Sequence, residues 1–77
     1  MIMTHAVIKQ VQKDFHIDDQ ASVLEYLSLY GSQEFEIEEE RVRLAILKLS
    51  SGSKTQVLHF VTEAKKDYRD VLFWAEN

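Results

Sequence analysis

Val57, Val61, Ala64, Tyr68, Val71 and Ala75 follow one another at spacings of 4, 3, 4, 3 and 4. Such a series forms a single stripe only on an α-helix, so the last third of the chain must bury that stripe against other helices. Ser53, with Gln56 three residues on, has the form of a capping box that satisfies the N–H groups of a first turn. The spacing therefore predicts a helix over residues 54–76, roughly 34 Å long at about 1.5 Å per residue. A break near Asp67, giving two shorter helices, is the alternative.

Residues 38–50 place Val42, Ala45, Ile46 and Leu49 along one stripe, with Leu44 and Leu47 widening it. Glu38, Glu39 and Glu40 favour the positive end of that helix's dipole. Gly52 stands where a positive φ is wanted after a helix, so Ser51-Gly52-Ser53 reads as a tight turn between two antiparallel helices. Upstream, Asp18 or Asp19 is expected to cap a helix over residues 20–30, with Val23, Leu24, Leu27 and Tyr30 inward and Gly31 ending it. Val7, Ile8, Val11 and Phe15 give residues 4–15 another amphipathic face. Phe35-Glu36-Ile37 alternates like a strand but has no partner strand, so it reads as a connection whose Phe35 or Ile37 plugs the core. The expected fold is all-α: one domain of residues 1–77, a small bundle of about four helices with a C-terminal hairpin around Gly52 and a long last helix.

The 77-residue chain has no Cys. That excludes disulfides, thiolate metal sites and cysteine nucleophiles, and points to a reducing compartment, since a secreted domain this small usually needs such staples. The start, Met1-Ile2-Met3-Thr4-His5, has no basic region followed by an apolar one, and no apolar run approaches the ~20 residues that cross a bilayer. The cytoplasm is the expected location. Thirteen acidic residues outnumber nine Lys and Arg, leaving a net charge of -4 with no visible basic stripe, so nucleic acid is not an expected partner.

Arg41-Val42-Arg43-Leu44-Ala45-Ile46-Leu47-Lys48-Leu49-Ser50 and Gly52, then Ala64-Lys65-Lys66-Asp67-Tyr68-Arg69-Asp70-Val71-Leu72 and Trp74-Ala75-Glu76, resemble a group of small bacterial proteins. These carry an LAILKLS.G stretch followed by an AK.DYRDVL.WAE stretch. Including Leu29-Tyr30-Gly31 loosely, the likeness covers roughly the last two thirds of the chain. The group has no assigned activity. The resemblance implies a compact bacterial helical protein and carries over no catalytic or binding residue.

The polar motifs read most simply as structure. Asp67 and Asp70 share a helix face beside Tyr68 and Arg69, an arrangement open to ligand binding or acid–base work. Ion pairs tying the hairpin together, drawn from Arg41, Arg43, Asp67, Arg69 and Asp70, are the simpler use. His5, His16 and His59 have no metal-ligand spacing, so no metal is expected. Ser50, Ser51 and Ser53 suit turn and cap chemistry and lack the longer Gly-rich loop of a phosphate site. A helix-turn-helix around Gly52 would present Lys54, His59, Glu63, Lys65 and Lys66, a mixed set for a nucleic-acid groove.

Val71-Leu72-Phe73-Trp74-Ala75 is the remaining feature. Five successive apolar residues go all the way round a helix, and one neighbouring helix cannot cover them. Val71, Phe73 and Trp74 are therefore the candidate interface, with a homodimer or another protein as the expected partner and neither catalysis nor a cofactor expected. A small DNA-binding or regulatory module is the alternative, and a ligand or enzymatic site around residues 67–70 the third reading.

Overall fold

The computed structural model describes residues 3–77; Met1 and Ile2, part of the start read above as carrying no leader, lie outside them. Five helices follow one another: α1 (His5–Asp14), α2 (Ile17–Ser28), α3 (Glu39–Ser50), α4 (Lys54–Lys66) and α5 (Tyr68–Glu76), with no strand among the described residues. Thr4 starts α1 by accepting a hydrogen bond from the Val7 N–H through its Oγ1. Gln20 Nε2 donates to the Phe15 carbonyl at 3.0 Å, satisfying an acceptor just past the end of α1. The start of α2 departs from expectation. His16, not an aspartate, is its N-cap, its Nδ1 accepting from the Asp18 N–H at 3.2 Å. Asp18 and Asp19 lie in the first turn, where their charge favours the helix dipole.

Helix α3 runs through the middle, packing against α1, α4 and α5, while α2 lies on α1 and α4. Its buried face is rotated from the expected stripe. Leu49 is only partly covered, and Arg43, Ile46, Leu47 and Ser50 line the interior with Val42 and Ala45. The buried apolar residues of all five helices join in one core cluster that includes Val7, Val23, Leu27, Val57, Val61 and Val71. The Cα radius of gyration is 11.1 Å, close to the ~11.5 Å expected for a folded chain of this length.

The single last helix is replaced by two. Asp67 has φ −159° and ψ 103°, its N–H ends α4 on the Glu63 carbonyl and its Oδ1 accepts from the Arg69 N–H at 3.0 Å to start α5. The cause is size. A straight helix of roughly 34 Å would outrun α1, α2 and α3, which at 10 to 12 residues are roughly 15–18 Å long. Folding back at Asp67 lets Val57, Val61 and Ala64 of α4 and Val71 and Ala75 of α5 be buried in one core, with Tyr68 partly covered.

The connection between α2 and α3 is inside out relative to expectation. Phe35 and Ile37 are 65% and 49% exposed, and Glu36 between them is 3% exposed. Two charged side chains organise this connection. Glu36 Oε1 accepts from the N–H groups of Gly31 at 2.8 Å and Ser32 at 3.0 Å, and its Oε2 meets Lys65 Nζ at 2.8 Å. Arg43, 1% exposed, donates from Nε to the Leu27 carbonyl at 3.1 Å and from Nη2 to the Tyr30 carbonyl at 2.7 Å, completing the end of α2 from another helix. Tyr30 Oη donates to the Ile37 carbonyl, and burial followed by the Glu36 charge pushes its pKa up to about 12, so it remains a donor. Gly31 has φ 104°, and a Cβ there would lie 2.9 Å from Glu39 Cδ.

The α3–α4 turn uses Ser51 at φ 49° and Gly52 at φ 80°. Ser53 Oγ accepts from the Gln56 N–H, whereas the Ser53 N–H goes to the Ser50 carbonyl, so the cap is made in one direction. A side chain at the left-handed Ser51 costs about 1 kcal/mol or more, partly offset by the greater freedom glycine has when unfolded. Ser51→Gly is expected to raise stability by about 0.5 kcal/mol, read as a higher urea midpoint at unchanged slope.

Candidate interaction surface

Helix α5 sorts its five apolar residues by direction. Val71, Leu72 and Ala75 are buried; Phe73 is 62% and Trp74 44% exposed. At about 100° per residue, Phe73 points roughly 150° from the centre of the buried stripe, and Trp74 roughly 110° to the other side. Trp74 leans toward α4, where its ring meets Phe60 edge-on at 6.4 Å, and Phe60 in turn meets the exposed His59 at 4.9 Å. Of the three candidate interface residues, Val71 is fully buried in the chain's own core, so the accessible surface consists of Phe73 and Trp74.

The opposite flank of α5 is tied to α3. Arg41 Nε donates to Glu76 Oε2 at 2.8 Å while its Nη1 meets Glu38 Oε1 at 3.0 Å, and Lys48 Nζ donates to the Ala75 carbonyl at 2.7 Å. The hydrogen bond from Arg41 holds Glu76 below the usual carboxylate range. The candidate ion-pairing residues thus take different parts. Arg41 bridges two helices, and Arg43 lies inside with Glu39 Oε2 3.5 Å from its Nη1. Asp67 and Arg69 pair with each other at 3.0 Å beside the α4–α5 junction and do not cross the hairpin. Asp70 is exposed in the first turn of α5, where the dipole favours it.

A shallow groove of about 250 Å³ lies between Phe35 and the α4–α5 junction, reaching Lys65, Lys66, Asp67, Tyr68 and Arg69. Its charges are already matched: Lys65 to Glu36, Lys66 to Glu63 and Arg69 to Asp67. Asp70 is not among its lining residues, so the two aspartates do not converge on it. Among the described residues no group of three or more His, Asp or Glu is arranged to hold a metal ion, and no helix is long and apolar enough to cross a membrane.

Glu36 and Arg43 organise this end of the molecule, and sequence reasoning missed both roles. Arg43 carried a readable signal, because it shares the 43, 46, 47, 50 helical stripe with Ile46, Leu47 and Ser50. Glu36 carried none. No protein-family model, curated protein or solved structure matches the chain.

Proposed function

We propose that this protein acts by association and not by catalysis, in the cytoplasm, first as a homodimer and otherwise by docking another protein through α5. The observation that supports this is the outward direction of Phe73 and Trp74 on a helix whose Val71, Leu72 and Ala75 are buried. Leaving a phenylalanine side chain largely in water forgoes about 2 kcal/mol of burial. Aromatic side chains with such exposure are favoured anchors of protein interfaces.

The nucleic-acid reading has less support. Of the basic residues a DNA-binding module could use, Arg43 is buried, Arg41, Lys65, Lys66 and Arg69 face carboxylates, and Lys48 is spent on the Ala75 carbonyl. The acid–base reading needs a convergence of Asp67 and Asp70 that their positions do not favour.

Phe73→Ala combined with Trp74→Ala tests the association. Each truncation of an interface anchor is expected to weaken self-association by about 30-fold or more. Helical circular dichroism should stay unchanged. An association constant that does not move on losing both rings contradicts docking through them.

A further inference from the structure

We infer that the self-associated form exchanges α5 between two copies: α4 and α5 straighten at Asp67 into one helix, and each α5 occupies the α3–α4 face of the other copy. This inference rests on the homodimer reading above for the second copy, but because the exchanged α5 re-forms its own contacts it predicts a dimerisation constant independent of the Phe73 and Trp74 rings, unlike docking through them. The first observation is phase. Apolar spacing runs unbroken through the hinge, Ala64 to Tyr68 being 4 residues, so the seam stays on one stripe if residue 67 becomes helical. Two helices that meet only at a corner have no need to keep that phase.

The second is the hinge itself. It is the single residue Asp67, flanked by helical Lys66 and Tyr68, and the chain has no Pro at all and no Gly beyond Gly52. Short hinges between elements favour exchange over closure. Straightening carries the N–H groups of Tyr68, Arg69 and Asp70 onto the carbonyls of Ala64, Lys65 and Lys66, in place of the Asp67 cap and its exposed pair with Arg69.

The third is that what holds α5 can be supplied by either copy. Glu76 on Arg41, the Ala75 carbonyl on Lys48 and the Trp74 ring on Phe60 are contacts between α5 and the rest of the chain, and each re-forms with α5 of a second copy. Residues 63–70, which would cross near the dyad, carry three acidic and three basic side chains. Two copies of net charge -4 therefore meet at a neutral segment.

Tyr68→Pro and Tyr68→Ala separate exchange from other modes of association. Proline suits the first position of α5 and the extended Asp67 before it, but it forbids a continuous helix. Relative to Tyr68→Ala, which also removes the ring, Tyr68→Pro should lower the dimerisation constant by about 100-fold or more, measured by light scattering on the full chain. Asp67→Ala removes two caps from two monomers and should raise it roughly 25-fold. Equal dimerisation of the Tyr68 pair overturns the exchange while leaving self-association standing, and a monomer throughout overturns both. If Tyr68→Pro fails to fold by circular dichroism, Asp67→Ala decides: an unchanged or lower constant overturns the exchange.

Discussion

Arg43→Ala is expected to lower the unfolding free energy by about 3–5 kcal/mol. The change removes one of the largest fully buried side chains in the chain, leaving a void under α3. It also takes away the hydrogen bond to the Tyr30 carbonyl and one of those to the Leu27 carbonyl, at the end of α2, where helical acceptors have run out of donors. Burial pulls the guanidinium pKa below its ordinary value, with the Glu39 charge chiefly opposing, yet an arginine so placed stays charged at neutral pH. A domain of this length has roughly 4–12 kcal/mol in total, so this variant loses much of its folded population. Arg43→Lys should recover part of the loss, since an ammonium keeps the charge without the two-pronged geometry. Urea unfolding followed by circular dichroism measures both. A loss under about 1 kcal/mol for Arg43→Ala would mean that the carbonyls at the end of α2 find water.

Glu36→Ala is expected to cost about 2–4 kcal/mol, and it removes the acceptor that holds the α2–α3 connection. Gly31 N–H and Ser32 N–H lose their acceptor at once, and Lys65 is left with the Leu29 carbonyl alone. The same carboxylate makes stability depend on pH. Burial raises its pKa, but the hydrogen bond from Lys65, the Gly31 N–H, the Lys65 charge and the Ser32 N–H outweigh this and hold it below the ordinary 4.5. A carboxylate depressed by folding contributes its full stabilisation above the unfolded value, and loses it as pH falls through the folded one. Thermal midpoints should therefore hold from pH 7 to about 5 and drop below about 4.5. Asp67, lowered by its bond from Arg69, and Glu76, lowered by Arg41, act in the same direction, but their exposure to solvent weakens them. Glu36→Gln should flatten the acid limb, and an unchanged limb would assign the acid sensitivity to other groups.

What was legible in the sequence followed the apolar period. The seam through Val57, Val61, Ala64, Val71 and Ala75 and the turn at Gly52 could be read directly, because burial imposes the spacing and the turn imposes the glycine. The break at Asp67 could be raised only as an alternative. Aspartate is an acceptable polar residue on a helix, and the reason for the break is the length of the other helices, a property of the whole body. The start of α2 was displaced because Asp18 and Asp19 have the chemistry of a cap, while the residue that performs it is His16.

Phe35, Glu36 and Ile37 failed for a different reason. Hydrophobicity placed the aromatic or aliphatic residue inside, but the N–H groups of Gly31 and Ser32 after α2 and the ammonium of Lys65 need an acceptor, and only Glu36 reaches all three. Local polar satisfaction won over apolar burial. On α5 the all-round apolar run did imply outward side chains. Which of the five turn outward is set by contact with α3 and α4, and that contact took Val71 into the core.

The most direct measurement is the mass of the full chain in solution by light scattering across a range of concentrations. Association through α5 predicts a rise from the 9.0 kDa of one chain toward twice that value as concentration increases. A mass that stays at 9.0 kDa at every concentration would contradict the homodimer.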